Sequence, residues 1–236
     1  MSVVLSLDGV TKHYGGVRAV DEITATFDDT EITAIIGPNG AGKTTLFSLI
    51  GGSTKPTAGR ITFRGRDITG RAPDAICRHG IARTFQIVHP FWNLTVRDHL
   101  RAAAIFGGHH DLDDRALDDL LALTDLAGRA GATPRRLTLA GCKRLEIARA
   151  LATGAMLILL DETMAGLTPE ETREAIALVR RIRESGRSVI LIEHVLAAVT
   201  GLCDRALVLD YGRVIADGTP AAVLASAEVK KAYLGE

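Results

Sequence analysis

One octapeptide constrains the fold of this chain more than any other feature. Gly37-Pro38-Asn39-Gly40-Ala41-Gly42-Lys43-Thr44 fits the pattern G-x-x-x-x-G-K-[ST]. The segment Glu31–Ile36 before it reads as a strand. Thr44–Ile50 after it has helical spacing and is closed by Gly51-Gly52. A strand, a glycine-rich loop and a helix in that order make a cradle for phosphate. The glycines let backbone N–H groups approach phosphate oxygens without a Cβ in the way. The helix starting at Lys43 adds its positive N-terminal dipole. Lys43 supplies a mobile cation for β- and γ-phosphates, and Thr44 a hydroxyl for Mg²⁺. Candidate nucleotide-binding residues are therefore Gly37, Asn39, Gly40, Gly42, Lys43, Thr44 and Thr45.

A second anchor is the apolar run Leu157–Leu160, followed by Asp161-Glu162. Ligands bind at the carboxyl ends of strands in parallel α/β sheets, and two carboxylates emerge there. Asp161 suits Mg²⁺, and Glu162 is placed to polarise an attacking water.

Strand–helix alternation surrounds these anchors. Val3–Leu7, Val20–Phe27, Arg60–Phe63, Ser188–Ile192, Arg205–Leu209 and Arg213–Ala216 read as strands, the last two joined by a hairpin at Tyr211-Gly212. Pro169–Glu184 is an amphipathic helix with Pro at its start, and Lys143–Ala152 and Leu196–Leu202 are helical. From Pro73 to about Arg136 the spacing is mostly helical, with Ile81–Phe85 as one possible strand. Gly107-Gly108-His109-His110-Asp111 reads as a loop between helices, and Pro220–Leu234 as two short helices. The pattern predicts an α/β protein with a parallel sheet and a helical insert.

Composition excludes several classes. At 47% hydrophobic residues the chain has ample material for a core, so disorder is excluded. Lys+Arg and Asp+Glu both number 28, which argues against a nucleic acid as the main partner. Cys77, Cys142 and Cys203 lie far apart and lack zinc-ligand spacing, and they read as reduced thiols. No apolar run approaches the roughly 20 residues needed to cross a bilayer.

These motifs and the helical segment between them resemble the ATP-binding subunits of ABC transporters over nearly the whole chain. The resemblance implies an α/β P-loop NTPase of the ABC ATPase type, with a mixed sheet core, antiparallel β strands and a helical subdomain. It implies a RecA-like core at 1–85 and 155–218, the helical subdomain at about 86–154, and a C-terminal helical cap at 219–236. Tyr14 matches the aromatic that stacks on adenine. Gln86, in Thr84-Phe85-Gln86, matches the glutamine that touches Mg²⁺ and relays to the membrane subunit. His194 matches the switch histidine at the γ-phosphate. Glu162, His194 and Gln86 are thus the implied catalytic set, and Thr44, Gln86 and Asp161 the implied metal set. The segments Ile81–Gln86, Arg144–Arg149, Leu191–His194 and Ala232–Glu236 are similar to the branched-chain amino-acid importer ATPases. This chain is similar to the member of the pair with the longer helical insert.

That likeness implies ATP and Mg²⁺ as ligands, multi-pass permeases and a second ATP-binding subunit as partners, and an extracytoplasmic solute-binding protein reached through the permeases. It implies a cytoplasmic protein, peripheral on the inner face of the membrane. A groove near Gln86 would take a short permease helix. Phe91 and Trp92 are available to line it, although local packing is the first expectation for aromatics. A soluble ABC ATPase and a nucleotide-binding scaffold are the competing classes.

The signature segment departs from the family pattern Leu-Ser-Gly-Gly-Gln. Counting back from Arg144 gives Leu137-Thr138-Leu139-Ala140-Gly141, with the Thr138 hydroxyl as the candidate γ-phosphate contact. A register using Ala140-Gly141 as the small pair is the alternative. Thr163 replaces a frequent proline, and Thr168 replaces the aspartate that usually ends its loop.

Overall fold

The computed structural model describes residues 2–108 and 112–234. Val3–Tyr14 (β1), Val17–Asp28 (β2), Ala58–Phe63 (β4) and Arg66–Asp67 (β5) form an antiparallel sheet in the order β2-β1-β4-β5. The second sheet contains Ile32–Ile36 (β3), Ile81–Arg83 (β6), Leu157–Asp161 (β7), Ser188–Ile192 (β8), Arg205–Asp210 (β9) and Arg213–Gly218 (β10). Its order is β10-β9-β3-β8-β7-β6. All its neighbouring strands pair in parallel except β10, which returns antiparallel along β9.

The central strands β3, β7 and β8 are buried along their full lengths. That is why they read as continuous apolar runs rather than alternations. Their two faces feed two cores. Leu157 and Leu159 pack with Phe27 of the antiparallel sheet and with Phe47 of Lys43–Ile50 (α1). Ile158 and Leu160 face the other way, toward Leu178 and Ile182 of Pro169–Glu184 (α6) and Val199 of Leu196–Leu202 (α7). The period-two side-chain alternation of a strand sorts these residues between the layers.

A third core lies in the insert. Val96–Gly107 (α3), Asp114–Leu123 (α4) and Leu139–Ala152 (α5) bury Val96, Leu100, Leu117, Leu121, Leu145 and Ala148 together. Thr95 and Asp113 cap the first two helices by accepting the Asp98 and Ala116 N–H groups. A short helix, Pro73–Arg78 (α2), precedes β6. In numerical order α2 follows α1, and Pro220–Ala225 (α8) and Ala227–Leu234 (α9) close the chain. Val223 and Val229 pack these last helices into the second core.

The structure corrects several boundaries. β1 continues to Tyr14 instead of ending at Leu7, because it pairs with both β2 and β4. Register shifts after Leu7, Val10 and Lys12 break its alternation, which hides the strand from periodicity. α5 starts at Leu139, four residues before the expected Lys143. Gly107 belongs to α3, and Gly108 ends it in a left-handed conformation with φ 89°. His109, His110 and Asp111 of the expected loop lie outside the described residues. The hairpin at Tyr211-Gly212 is present, with φ of 43° and 79° as a primed turn requires.

Leu159 is fully buried in the strand that carries the acidic pair. Leu159→Ala should lower unfolding free energy by about 2–5 kcal/mol in urea titration.

Candidate nucleotide site

The phosphate loop leaves β3 and is moulded against the neighbouring backbone. Gly37 has φ 148° and Gly42 has φ 100°. A Cβ would lie 2.1 Å from the Leu209 carbonyl oxygen at Gly37, and 2.2 Å from that of Ala19 at Gly42. Only glycine lets the loop sit this close to β9 and β2. Asn39, Gly40 and Thr44 stay exposed on the outer side.

Lys43 is 6% exposed and folds back over its own loop. Its Nζ donates to the Gly37 carbonyl at 2.7 Å and the Pro38 carbonyl at 2.8 Å. Burial pushes its pKa down, while the charges of Glu162 and Asp161 pull it up. An arriving phosphate would offer this cation stronger acceptors than two carbonyls.

Asp161 ends β7 and is 4% exposed. Its Oδ2 receives a hydrogen bond from Arg83 Nη2 at 2.8 Å. Glu162 follows with φ 48°, a left-handed conformation that turns the chain sharply off the strand. Its carboxylate accepts from Gln86 Nε2 at 2.6 Å, and His194 Nε2 stands 2.9 Å from its other oxygen. The three expected catalytic side chains therefore meet, although they come from three separate segments of chain.

Beneath them lies a network that the sequence reading missed. Lys143, buried on α5, donates to the Glu162 carbonyl at 3.1 Å and the Ala165 carbonyl at 2.6 Å. Glu193, also buried, accepts the Met164 N–H at 2.9 Å. Burial lowers the Lys143 pKa and raises that of Glu193, and each charge partly offsets the other's shift. The one sequence signal was a Glu placed directly after the fully apolar Val189–Ile192.

Other expected positions fall as follows. Tyr14 ends β1, half-exposed, with Lys12 Nζ 5.0 Å above its ring and the Thr54 hydroxyl 3.5 Å from its own. Thr45 begins the second half-turn of α1. Thr138 is the N-cap of α5, and its Oγ1 accepts the Gly141 N–H at 3.1 Å. Leu139 is the first helical residue, 48% exposed. Thr168 is also an N-cap, reciprocating with Glu171 in a capping box on α6. Gln86 donates its amide N–H to Glu162. Phe91 and Trp92 are exposed rather than packed away, against expectation; Arg149 lies 5.5 Å from the Phe91 ring and Arg135 5.7 Å from that of Trp92.

The donor set suits a hard cation. The Asp161 and Glu162 carboxylates stand near enough for their charges to act on Lys43, Thr44 follows it in the chain, and Mg²⁺ prefers oxygen ligands of this kind. Among the described residues no cluster of three or more His, Cys, Asp or Glu is built to cage a metal. Magnesium bound with nucleotide needs only one or two protein ligands, the rest being phosphate and water.

Residues 20–165 match the ABC transporter family, which is more than half of the chain. The chain belongs to the ABC transporter ATP-binding family. Residues 213–236 match a second family, the branched-chain amino acid ATP-binding cassette transporters. The chain is 36% identical over 250 aligned residues to the high-affinity branched-chain amino acid transport ATP-binding protein LivG of Salmonella typhimurium, covering 99% of this chain and 98% of that protein. It is 35% identical to BraF of Pseudomonas aeruginosa, which has the corresponding name, with the same coverage. Among solved structures it resembles the ADP conformation of MJ1267, an ATP-binding cassette of an ABC transporter. That match has a TM-score of 0.91 and 29% identity and covers all of both chains. A nucleotide-free ATP-binding cassette matches at a TM-score of 0.90 and 29% identity, again over both full chains. The mixed-sheet ABC ATPase fold is thereby established, as is membership of a nucleotide-binding family.

Removing the ammonium under Glu162 should loosen the Glu162 turn. Lys143→Met removes the side-chain donor that the Glu162 and Ala165 carbonyls share. We expect about 1–3 kcal/mol of lost stability and faster amide hydrogen exchange across residues 162–166, read by mass spectrometry.

Proposed function

We propose that this chain is the ATP-binding and hydrolysing subunit of an ABC importer for branched-chain amino acids or related small polar solutes. The observation that carries this reading is the Glu162 carboxylate held between Gln86 and His194 at the mouth of the sheet. The near-full-length likeness to transport ATP-binding proteins supports the solute class.

In this reading the phosphate-loop amides and Lys43 neutralise the β- and γ-phosphates, and Tyr14 stacks on the adenine. Thr44, Asp161 and Gln86 would hold Mg²⁺, whose charge would offset that developing on the phosphates. Glu162 orients the attacking water and takes its proton, while His194 holds the γ-phosphate. Lys143 and the Glu193–Met164 bond keep the Glu162 turn from drifting. Catalysis by this chain is thus positioning and electrostatics.

Residues 1–85 with 155–218 act as the RecA-like core, about 86–154 as the helical subdomain, and 219–236 as its cap. Permease subunits dock in an apolar groove of about 690 Å³ between the core and α3, lined by Phe85, Phe91 and Phe106. No helix among the described residues is long and apolar enough to cross a membrane. The chain works at the cytoplasmic face, bound to permeases that connect it to an extracytoplasmic solute-binding protein.

Exposed Leu139 favours one refinement. A second ATP-binding subunit closes over this chain's phosphate loop, and this chain's Thr138–Gly141 closes over the partner's. A leucine side chain where glycine normally permits close approach weakens the second site. The site built on Lys43 and Glu162 is then the hydrolytic one, completed by a different ATP-binding subunit.

Glu162→Gln should lower ATP turnover by about 10²- to 10⁴-fold with nucleotide binding retained, while Lys43→Ala should lose binding. Undiminished turnover in Glu162→Gln would overturn the assignment. Light scattering on Glu162→Gln with ATP and Mg²⁺ tests the refinement. A persistent monomer with bound nucleotide is expected, and an ATP-dependent homodimer would remove the need for a different partner.

A further inference from the structure

The Asp161 carboxylate already has a cation. Arg83 reaches it from the adjacent strand β6, with its guanidinium locked on several sides. Nη2 donates to Asp161 Oδ2 at 2.8 Å and Nη1 to the Ser48 hydroxyl at 3.0 Å. The Phe47 and Phe85 rings lie 5.8 and 5.4 Å from its central carbon. The Arg83 side chain is 10% exposed and that of Asp161 is 5% exposed, so water screens the pair poorly. Nε has no partner at all. Phe47 belongs to the helix that starts at the phosphate loop, so the guanidinium is anchored to the site it neutralises.

We propose that Arg83 is a positioning residue that sets the Mg²⁺ threshold of this site by holding the Asp161 carboxylate as a fixed counter-cation. The proposal rests on Asp161 being the carboxylate that serves Mg²⁺. Arg83 occupies one carboxylate oxygen and leaves the other free, so the metal shares Asp161 with a permanent charge. Two opposing effects follow. The guanidinium orients the carboxylate, which favours metal binding. Its charge repels a divalent cation from a position one carboxylate away, which opposes binding. Repulsion is the larger: removing a unit charge at that separation, with protein-like screening, changes affinity by about tenfold or more. Fixing one short side chain is worth less. Lys43 remains near enough to feel the Asp161 charge when Arg83 is gone.

The test is a Mg²⁺ titration of fluorescent mant-ATP binding to the purified chain, starting from EDTA. It compares wild type with Arg83→Met, Arg83→Gln, Arg83→Lys and Asp161→Asn. Arg83→Met should reach half-saturation at Mg²⁺ concentrations lower by about tenfold or more. Arg83→Lys, which keeps the charge, should stay within about threefold of wild type. Arg83→Gln keeps a hydrogen bond to Asp161 without charge and should shift as Met does, so it carries the test if Arg83→Met fails to fold. A neutral variant that folds and keeps the wild-type threshold, or needs more Mg²⁺, overturns the proposal. Asp161→Asn tests the underlying assignment separately. It should lose the Mg²⁺ enhancement, and if it keeps the wild-type titration the metal role of Asp161 falls and the proposal with it.

Discussion

Acidic groups at the ends of apolar strands are the constraint on which this structure turns. β7 is buried from Leu157 through Asp161, and β8 leads from buried apolar residues into Glu193. Such strands are needed to hold the sheet between two cores. They deliver carboxylates into surroundings where an unanswered charge is costly. Each is answered. Asp161 has Arg83, Glu162 has Gln86 and His194, and Glu193 has the Met164 N–H and the nearby charge of Lys143. The partners come from the insert and from strand ends, so meeting the electrostatic demand also brings these distant segments together. Fold and site are in this sense one solution to one problem.

The legible part of the chain was the part with simple periods. The strand–loop–helix at Glu31–Ile50 and the helix Pro169–Glu184 stand out because their apolar spacing is regular and their ends carry glycine or proline. β1 was half hidden because its bulges destroy alternation while its two ladders hold it extended. The start of α5 was misplaced because its signal is a lone threonine cap, Thr138, whose bond to the Gly141 N–H does not show in the apolar spacing. Gln86, Glu162 and His194 could be named from motif order, but their convergence on one carboxylate is a tertiary fact. Arg83 and Lys143 could not be assigned at all. A charged residue on a strand or helix is by default solvated, and Arg83 finds Asp161 across 78 residues of sequence.

The C-terminal tail shows the same dependence on the core. Residues 213–236 match a family of their own, yet the described part, 213–234, is packed onto the rest of the chain. β10 is paired to β9, and Val223 and Val229 are buried among the residues of α6 and α7. A segment of this size has too little surface to bury alone. Its helix α9 also borders a cavity of about 530 Å³ shared with Pro38–Ala41, which sets the tail against the outer side of the phosphate loop.

Burial also separates what the fold enforces from what a partner must enforce. A change at Asp161, Lys143 or Glu193 strands a charge or a donor inside the protein, so the folded state itself resists it. Leu139 is different. It sits at the first turn of α5 with about half its surface in solvent, and the cap that starts the helix is the Thr138 hydroxyl rather than anything at 139. Replacing glycine with leucine there takes nothing from the core and even improves helix propensity. Part of its side chain lies over Gly166, where an added Cβ would stand 3.4 Å from Leu139 Cδ2, and the rest faces solvent. The fold therefore fixes the start of α5 through Thr138 and leaves the exposed half of Leu139 open to contacts beyond the chain.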